Sequence, residues 1–221
     1  MSITENLKQL HSEIPPDINL ICVSKFHSNE VILEAYGNGE RNFGESRVQE
    51  LLKKQSELPF DIRWHFIGPL QSNKIKQIVP FIYLIHSIET IKQIEEINKQ
   101  AVKINRKINI LLEIHIAQEE NKHGFSEEEV INFFTEETWK NYSNVEICGL
   151  MGIATFTDNY KQISQEFNKL KCLFDTIKSI YKNNHFKELS IGMSDDYRLA
   201  LKYGSTMIRI GSKIFGQREN K

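Results

Sequence analysis

A lysine directly after an apolar segment is the residue of this sequence best placed to do chemistry. Lys25 follows the apolar run NLICVS at residues 19–24, so its side chain starts among residues expected to be buried. Burial lowers the pKa of a lysine, and the neutral amine is the form that attacks a carbonyl group to make a Schiff base. A lysine at a strand end also suits the simpler role of extending its ammonium group into solvent, and position alone favours that role.

An arginine inside a second apolar segment is the next candidate. Arg209 stands in MIRIG at residues 207–211, where the neighbouring side chains are apolar. A guanidinium group stays protonated and needs hydrogen-bond partners when it is buried. Its position is equally compatible with ligand binding and with an ion pair at the edge of a sheet.

Three residues near two turns are candidates for binding a phosphate group. Ser194 precedes a predicted helix, and Gly211 and Ser212 follow a predicted strand. Backbone N–H groups at a helix N-terminus, and those after the eighth strand of a barrel, are common phosphate sites. Ordinary capping and turn formation are the alternatives, and they are strongest for Ser194 because Asp195 and Asp196 add negative charge to its turn.

The elements that must position these residues alternate between two hydrophobic periodicities. Short apolar runs rich in Ile and Val predict buried strands, and the longer amphipathic stretches between them predict helices. The predicted strands are 19–24, 41–43, 63–67, 81–86, 108–116, 145–150, 188–192 and 207–211. The predicted helices are 2–11, 29–37, 45–58, 73–79, 88–104, one opened by the capping box at 126–129, 160–181 and 195–203.

Eight strands separated by helices, with one extra helix in front, predict an α/β fold of the closed (β/α)8 type, the TIM barrel. An open doubly wound sheet is the alternative. The turn Gly37-Asn38-Gly39 does not support that alternative, because it follows a helix, whereas the glycine-rich nucleotide motif follows a strand. In a barrel, reactive groups lie at the carboxyl ends of the strands, which is where Lys25 and Arg209 fall.

Composition and charge exclude several classes of protein. The 221 residues carry a net charge of −1, so no overall positive field attracts nucleic acid or anionic lipid. No apolar run approaches about 18 residues, and no signal-peptide pattern opens the chain. Three scattered cysteines, Cys22, Cys148 and Cys172, indicate neither a disulfide framework nor a metal site. We therefore expect a single domain over residues 1–221 in the reducing cytoplasm.

Six segments of the sequence form a distinctive set. They are VSKF (23–26), NFGESRVQE (42–50), WHFIGPLQSNK (64–74), GLMG (149–152), LSIGMSDDY (189–197) and GSTMIRIGSKIFG (204–216). Together they resemble the pyridoxal 5′-phosphate (PLP) homeostasis protein family, and the resemblance extends over almost the whole chain. It implies a single-domain barrel of the alanine racemase N-terminal type.

The resemblance also implies a role for each candidate residue. Lys25 would carry PLP as an internal aldimine, and Arg209 would face the pyridine nitrogen. Ser194 and the backbone of Gly211 and Ser212 would hold the phosphate. Reasoning from the residues singles out the same five positions.

One position departs from the family pattern. Ser46 stands where the family commonly has asparagine, in the motif that here reads GES at 44–46. A side-chain amide that contacts the cofactor ring would then be replaced by a shorter hydroxyl group or by water. The departure affects that single contact.

These features predict a binding protein rather than an enzyme. An arginine at the pyridine nitrogen keeps that nitrogen unprotonated, which weakens the ring as an electron sink. Related racemases complete their site with a tyrosine from the second domain of a partner subunit, and this chain ends ten residues after the last predicted strand. We expect a PLP carrier in vitamin B6 homeostasis, without significant catalysis.

Two alternatives stay open. One is a PLP-dependent amino-acid racemase or weak lyase, and the other is a barrel enzyme that uses Lys25 on a sugar phosphate without a cofactor. We expect a monomer that binds PLP, with PLP-dependent apoenzymes as candidate recipients and with no nucleic acid, membrane or metal ion as partner. Basic pairs such as Lys53-Lys54 are interpreted as solvated helix faces rather than docking surfaces.

Overall fold

Eight parallel strands close into a barrel in the order in which they occur along the chain. The computed structural model describes residues 2–117 and 123–216. The strands are β1 (Asn19–Val23), β2 (Asn42–Glu45), β3 (Arg63–Phe66), β4 (Leu84–Ile88), β5 (Ile108–Glu113), β6 (Val145–Met151), β7 (Glu188–Ser190) and β8 (Met207–Ile210). The (β/α)8 barrel predicted from the sequence is confirmed.

Helices connect the strands, and one extra helix precedes β1 as predicted. That first helix begins after Ser2, whose hydroxyl group accepts a hydrogen bond from the Glu5 N–H at 3.2 Å. The capping box predicted at Ser126 is also present. The helices are α1 (Ile3–Glu13), α2 (Asn29–Gly37), α3 (Val48–Glu57), α4 (Ile75–Ile78), α5 (Ile91–Lys103), α6 (Glu127–Thr135), α7 (Tyr160–Tyr181), α8 (Tyr197–Lys202) and α9 (Ser212–Phe215).

Several element boundaries differ from the sequence prediction by a few residues, and two of these differences have a clear local reason. β4 begins at Leu84 rather than at Phe81, because the N–H groups of Phe81 and Ile82 bond back to the Ile78 carbonyl and complete the turn after α4. β2 continues through Glu45, where the sequence predicted the start of a helix, because Glu45 still pairs with β3. The helix that follows therefore starts three residues later than predicted.

The barrel interior holds an apolar layer beneath a polar one. Leu84, Leu111, Met151 and Met207 come from four strands and form a cluster separate from the main core. Side chains from such distant strands meet only inside the barrel. The next inward positions towards the carboxyl ends of β4, β5 and β8 are polar, because inward side chains recur every second residue. These positions hold His86, Glu113 and Arg209, all buried.

Within residues 2–117 and 123–216, no helix is both long enough and apolar enough to cross a membrane. The single domain over residues 1–221 stays a prediction, since Met1 and residues 118–122 and 217–221 lie outside the described part of the chain.

Candidate functional site

A cavity of about 360 Å³ opens at the carboxyl ends of β1 and β8. Five of the six residues predicted from the sequence line it, namely Lys25, Ser194, Arg209, Gly211 and Ser212. They come from segments almost 190 residues apart along the chain, and the closure of the barrel brings β1 beside β8. The cavity therefore combines a half-buried lysine, a buried arginine and a turn with small residues.

The segment that carries Lys25 is fixed on both sides of that residue. Before it, the Ser24 hydroxyl donates to Glu45 Oε1 at 2.5 Å. After it, the N–H of Phe26 donates to Glu50 Oε1 at 2.6 Å. Phe26 has a positive φ of 69°, so the chain turns sharply immediately beyond the lysine. These bonds restrict where the Lys25 backbone can move relative to the cavity.

A buried ion pair supports this segment from below. Lys54 Nζ donates to Glu45 Oε1 at 2.8 Å, to Glu50 Oε1 at 2.7 Å and to the Ser24 carbonyl at 2.8 Å. Burial raises the pKa of Glu45, and the nearby Lys54 ammonium opposes that rise. Glu45 Oε2 is buried without a hydrogen-bond partner among the described residues.

The interpretation of Lys53-Lys54 as a solvated pair is wrong for Lys54, whose side chain is buried. Its spacing offers a signal that could have shown this. Val48, Leu51 and Lys54 recur at intervals of three residues on α3, and all three are buried. Residues three apart share a helix face, so Lys54 points towards the barrel with the two apolar side chains.

Arg209 is held by neutral oxygen atoms. Its Nη1 group donates to the carbonyl and to the hydroxyl oxygen of Ser190, both at 2.7 Å, and Nη2 donates to the Gly152 carbonyl at 3.0 Å. Burial lowers the pKa of Arg209 to about 10, so the group remains cationic near neutral pH. Within residues 2–117 and 123–216 it forms no ion pair, which excludes the ion-pair alternative among those residues.

The turn after β8 lies close to β1. The Gly211 N–H donates to Ser194 Oγ at 3.4 Å, which joins the two segments predicted to bind phosphate. A Cβ atom at Gly211 would lie only 3.3 Å from the Val23 carbonyl oxygen. The backbone of Gly211 therefore sits closer to β1 than a larger residue would easily allow. Helix α9 begins directly afterwards, at Ser212.

Ser46 is not among the residues that line this cavity. It directly follows β2 and packs on Gly68, where an added Cβ atom would lie 2.6 Å from the Ser46 Cβ. Its predicted contact with a cofactor ring stays a prediction.

Polar residues that the sequence analysis did not single out continue from Arg209 into the barrel. Ser190 Oγ lies 3.0 Å from His86 Nδ1, and His86 Nε2 lies 2.9 Å from His65 Nδ1. Burial lowers the pKa of His65 to about 3 and holds the pKa of His86 well below its usual value. Both imidazoles are therefore neutral near pH 7. The sequence pattern does not single out Ser190 or His86.

A second cavity of about 300 Å³ adjoins the first and shares residues such as Met193 with it. It is lined by Glu89, Glu113 and His123, among others. Burial, reinforced by the negative charge of Glu89, raises the pKa of Glu113 to about 7. Glu113 therefore exchanges a proton in the neutral range. No group of three or more His, Cys, Asp or Glu residues in the described ranges is arranged to hold a metal ion.

Comparisons of the sequence with known proteins give one consistent family assignment. The family model described as alanine racemase, N-terminal domain, matches residues 1–219. The chain is 38% identical over 205 residues to the pyridoxal phosphate homeostasis protein of Schizosaccharomyces pombe, covering 91% of this chain and 85% of that protein. It is 39% identical over 201 residues to the protein of the same name from Aquifex aeolicus, covering 90% and 87%.

A solved structure extends the similarity to three dimensions. PipY of Synechococcus elongatus without PLP superposes with a TM-score of 0.91 at 34% identity, over 97% of this chain and 100% of that chain. The structure of PipY with PLP bound has a TM-score of 0.88 at 33% identity, with the same coverage. The similarity therefore covers almost the whole chain, at the level of both sequence and fold.

Proposed function

The chain belongs to the alanine racemase N-terminal domain family and is similar throughout to pyridoxal phosphate homeostasis proteins, and on this premise we propose that it binds PLP and serves PLP homeostasis. The observation that carries the proposal is the single cavity that brings together Lys25, Arg209, Ser194, Gly211 and Ser212. A related protein, PipY, has a structure with PLP bound.

The residues of the cavity fit this group. An arginine has five N–H groups, and within the described ranges Arg209 uses three of them. Two donors on a buried, cavity-lining cation remain for a ligand acceptor, such as the unprotonated nitrogen of a pyridine ring. Gly211 has no side chain to cover the turn after β8, which suits contact between the N–H groups of that turn and a phosphate.

Bound PLP supplies an aldehyde, with which an amine forms a Schiff base. In the proposed site Lys25 provides that amine, and the bonds on both sides of it hold its backbone in place. Ser194, Gly211 and Ser212 bind the phosphate. Arg209 donates a hydrogen bond to the ring nitrogen and, by remaining protonated itself, keeps that nitrogen free of a proton.

A binding role is favoured over catalysis. The curated relatives are named as homeostasis proteins rather than as enzymes. A ring nitrogen without a proton draws electrons weakly from bonds attached to the cofactor, so carbanion chemistry is slow. The alternative is a PLP-dependent amino-acid racemase, which the name of the matching family model favours. Racemisation of alanine at ordinary enzymatic rates would support that alternative.

Finer features of the proposal come from the sequence. We propose a monomeric, single-domain protein of the cytoplasm that exchanges PLP with apoenzymes. The three cysteines, Cys22, Cys148 and Cys172, form no disulfide in the structure. Gel filtration with light scattering tests whether the protein is a monomer in solution.

The experiment that tests the cofactor and its attachment is an absorbance spectrum of the purified protein after addition of PLP and removal of the excess. The wild type should show the visible band of a Schiff base, and borohydride should fix the label on Lys25. Lys25→Ala should lack the band, whereas Lys53→Ala, which removes an exposed lysine, should keep it. A wild-type protein that stays colourless after incubation with PLP would overturn the proposal.

A further inference from the structure

Four polar side chains continue from Arg209 across the interior of the barrel in one unbroken series. Arg209 Nη1 lies 2.7 Å from Ser190 Oγ, which lies 3.0 Å from His86 Nδ1. His86 Nε2 lies 2.9 Å from His65 Nδ1, and His65 Nε2 lies 3.3 Å from Asn42 Oδ1. The series therefore links five strands, from β8 through β7, β4 and β3 to β2.

The chemistry of its ends gives the series one direction. Arg209 can only donate, so Ser190 Oγ accepts from it, and among the described residues His86 Nδ1 is the acceptor within reach for the single proton of this buried hydroxyl group. His86 then carries its proton on Nε2 and donates to His65 Nδ1. By the same reasoning His65 carries its proton on Nε2 and donates to Asn42 Oδ1. The acceptor oxygen of Asn42 at the far end agrees with this direction.

The surroundings hold both imidazoles in this state. His65 and His86 are buried, as is Ser190. Burial disfavours a charged imidazole, and the positive charge of Arg209 lowers the pKa of His86 further. Arg63 has the same effect on His65. A second proton on either ring would also break the series, because it would turn an acceptor nitrogen into a donor.

We propose that Ser190, His86, His65 and Asn42 form a one-way hydrogen-bond relay that positions Arg209 towards the ring nitrogen of PLP. The relay rests on the proposed function, since the ring nitrogen belongs to the proposed ligand. Its members are positioning residues that act through Arg209. Hydrogen bonds in such a series polarise one another, so the neutral imidazoles strengthen the hold of Ser190 on the guanidinium group.

The alternative is that these side chains merely fill the barrel and satisfy one another. Both roles predict a loss of stability when a member is removed. Only the relay requires the proton of both imidazoles on Nε2, together with a change in the environment of the cofactor ring when Ser190 is altered. The two experiments below measure these differences.

The first experiment needs neither PLP nor a variant. In ¹⁵N-labelled wild-type protein without PLP, nitrogen chemical shifts should place the proton of both His65 and His86 on Nε2. Neither signal should titrate between about pH 5 and about pH 8. A proton on Nδ1 of either ring, or titration in that range, would overturn the relay, whether or not the protein binds PLP.

The second experiment compares two buried serines. Ser190→Ala removes the relay hydroxyl. Ser205→Ala removes a hydroxyl that is equally buried near β7 and β8 but bonds only backbone carbonyls, including that of Ile191 at 2.7 Å. Both variants should lose stability, as measured by urea unfolding. Ser190→Ala should weaken PLP binding about tenfold, which corresponds to the loss of one hydrogen bond to a charged group.

A second readout separates positioning from packing. In Ser190→Ala the visible band of bound PLP should change its pH dependence, and Ser190→Thr should restore the wild-type profile because it keeps the hydroxyl. In Ser205→Ala the PLP affinity and the profile should match the wild type. Affinity and profile of Ser190→Ala within about twofold of wild type would contradict the relay. If the wild type itself fails to bind PLP, the proposed function is wrong, and the tautomer measurement still decides whether the series exists.

Discussion

Lys54 Nζ lies 2.8 Å from the carbonyl oxygen of Ser24, so a buried ammonium group holds the residue that immediately precedes Lys25. The same nitrogen contacts Glu45, which is fully buried. The position of Lys25, just beyond β1, therefore depends on a charge supplied by helix α3. A buried charge pair of this kind is costly to break, because removal of either partner leaves the charge of the other buried and uncompensated.

Lys54→Met should destabilise the protein by about 3 kcal/mol at pH 7, because Glu45 is left buried without its counter-charge. Lys53→Met, on the exposed neighbour, should change stability by less than about 0.5 kcal/mol. Urea unfolding followed by circular dichroism measures both. Addition of Glu45→Gln to Lys54→Met should recover part of the loss, since it removes the unpaired charge. Equal stabilities of the two lysine variants would contradict the role assigned to Lys54.

Gly211→Ala should weaken PLP binding about tenfold if the turn after β8 binds the phosphate as proposed, because the new Cβ atom would lie 3.3 Å from the Val23 carbonyl and push that turn away from β1. The matched control is Gly37→Ala at the end of α2. No atom lies within 4 Å of the added Cβ there, and the residue does not have positive φ. The control should bind PLP normally and be unchanged or slightly more stable. Titration of each protein with PLP, followed by absorbance, measures the affinities.

The barrel and the cavity could be predicted from the sequence because their signals are local. Alternating strand and helix patterns indicate βα units, and the carboxyl ends of parallel strands meet at one end of a barrel. Lys25 follows one apolar strand and Arg209 interrupts another near its end, so both are expected at the carboxyl end of the barrel. Lys54 could also have been placed, from its spacing with Val48 and Leu51.

The polar interior could not be predicted in the same way. His86 stands in the apolar run FIYLIH, and the direction of its side chain depends on where β4 begins. The strand begins at Leu84, three residues later than the pattern suggested. His86 therefore lies in the middle of β4 rather than at its end. The partners of His86 come from β3 and β7, and the sheet register that brings them together is a property of the closed barrel.

Acid should destabilise the protein through its two buried neutral histidines. The pKa values of His65 and His86 are lowered in the folded state, so the unfolded chain binds protons first as pH falls below about 6.5. Each histidine should therefore cost about 2 kcal/mol of stability between about pH 7 and about pH 5.

The contribution of His86 can be measured by comparing the free energy of unfolding of His86→Gln with that of wild type at these two pH values. The variant should lose about 2 kcal/mol less than wild type on acidification. His185→Gln, which replaces an exposed histidine, should follow the wild type. A His86→Gln protein with the acid sensitivity of wild type would show that His86 is already protonated, or solvated, in the folded state.

Glu113 should produce the opposite pH dependence. Burial and the charge of Glu89 raise its pKa to about 7, from a usual value near 4.5. The folded state therefore holds a proton that the unfolded chain has released, and the stability this contributes is lost as pH rises through 7. Above that pH the ionised carboxylate costs on the order of 3 kcal/mol. Glu89 and His123 line the same cavity as Glu113, and the positive charge of Arg209 opposes the rise in the pKa of Glu113.

Glu113→Gln removes that cost, so the variant should gain stability over wild type as pH rises from about 5 to about 8. Urea unfolding at several pH values measures the difference between the two proteins. Glu89→Gln is the informative control, because it keeps Glu113 and removes the negative charge that adds to the effect of burial on the pKa of Glu113. In that variant the titration midpoint of Glu113 should move to lower pH.

A stability difference between Glu113→Gln and wild type that does not depend on pH would show that Glu113 is ionised throughout this range.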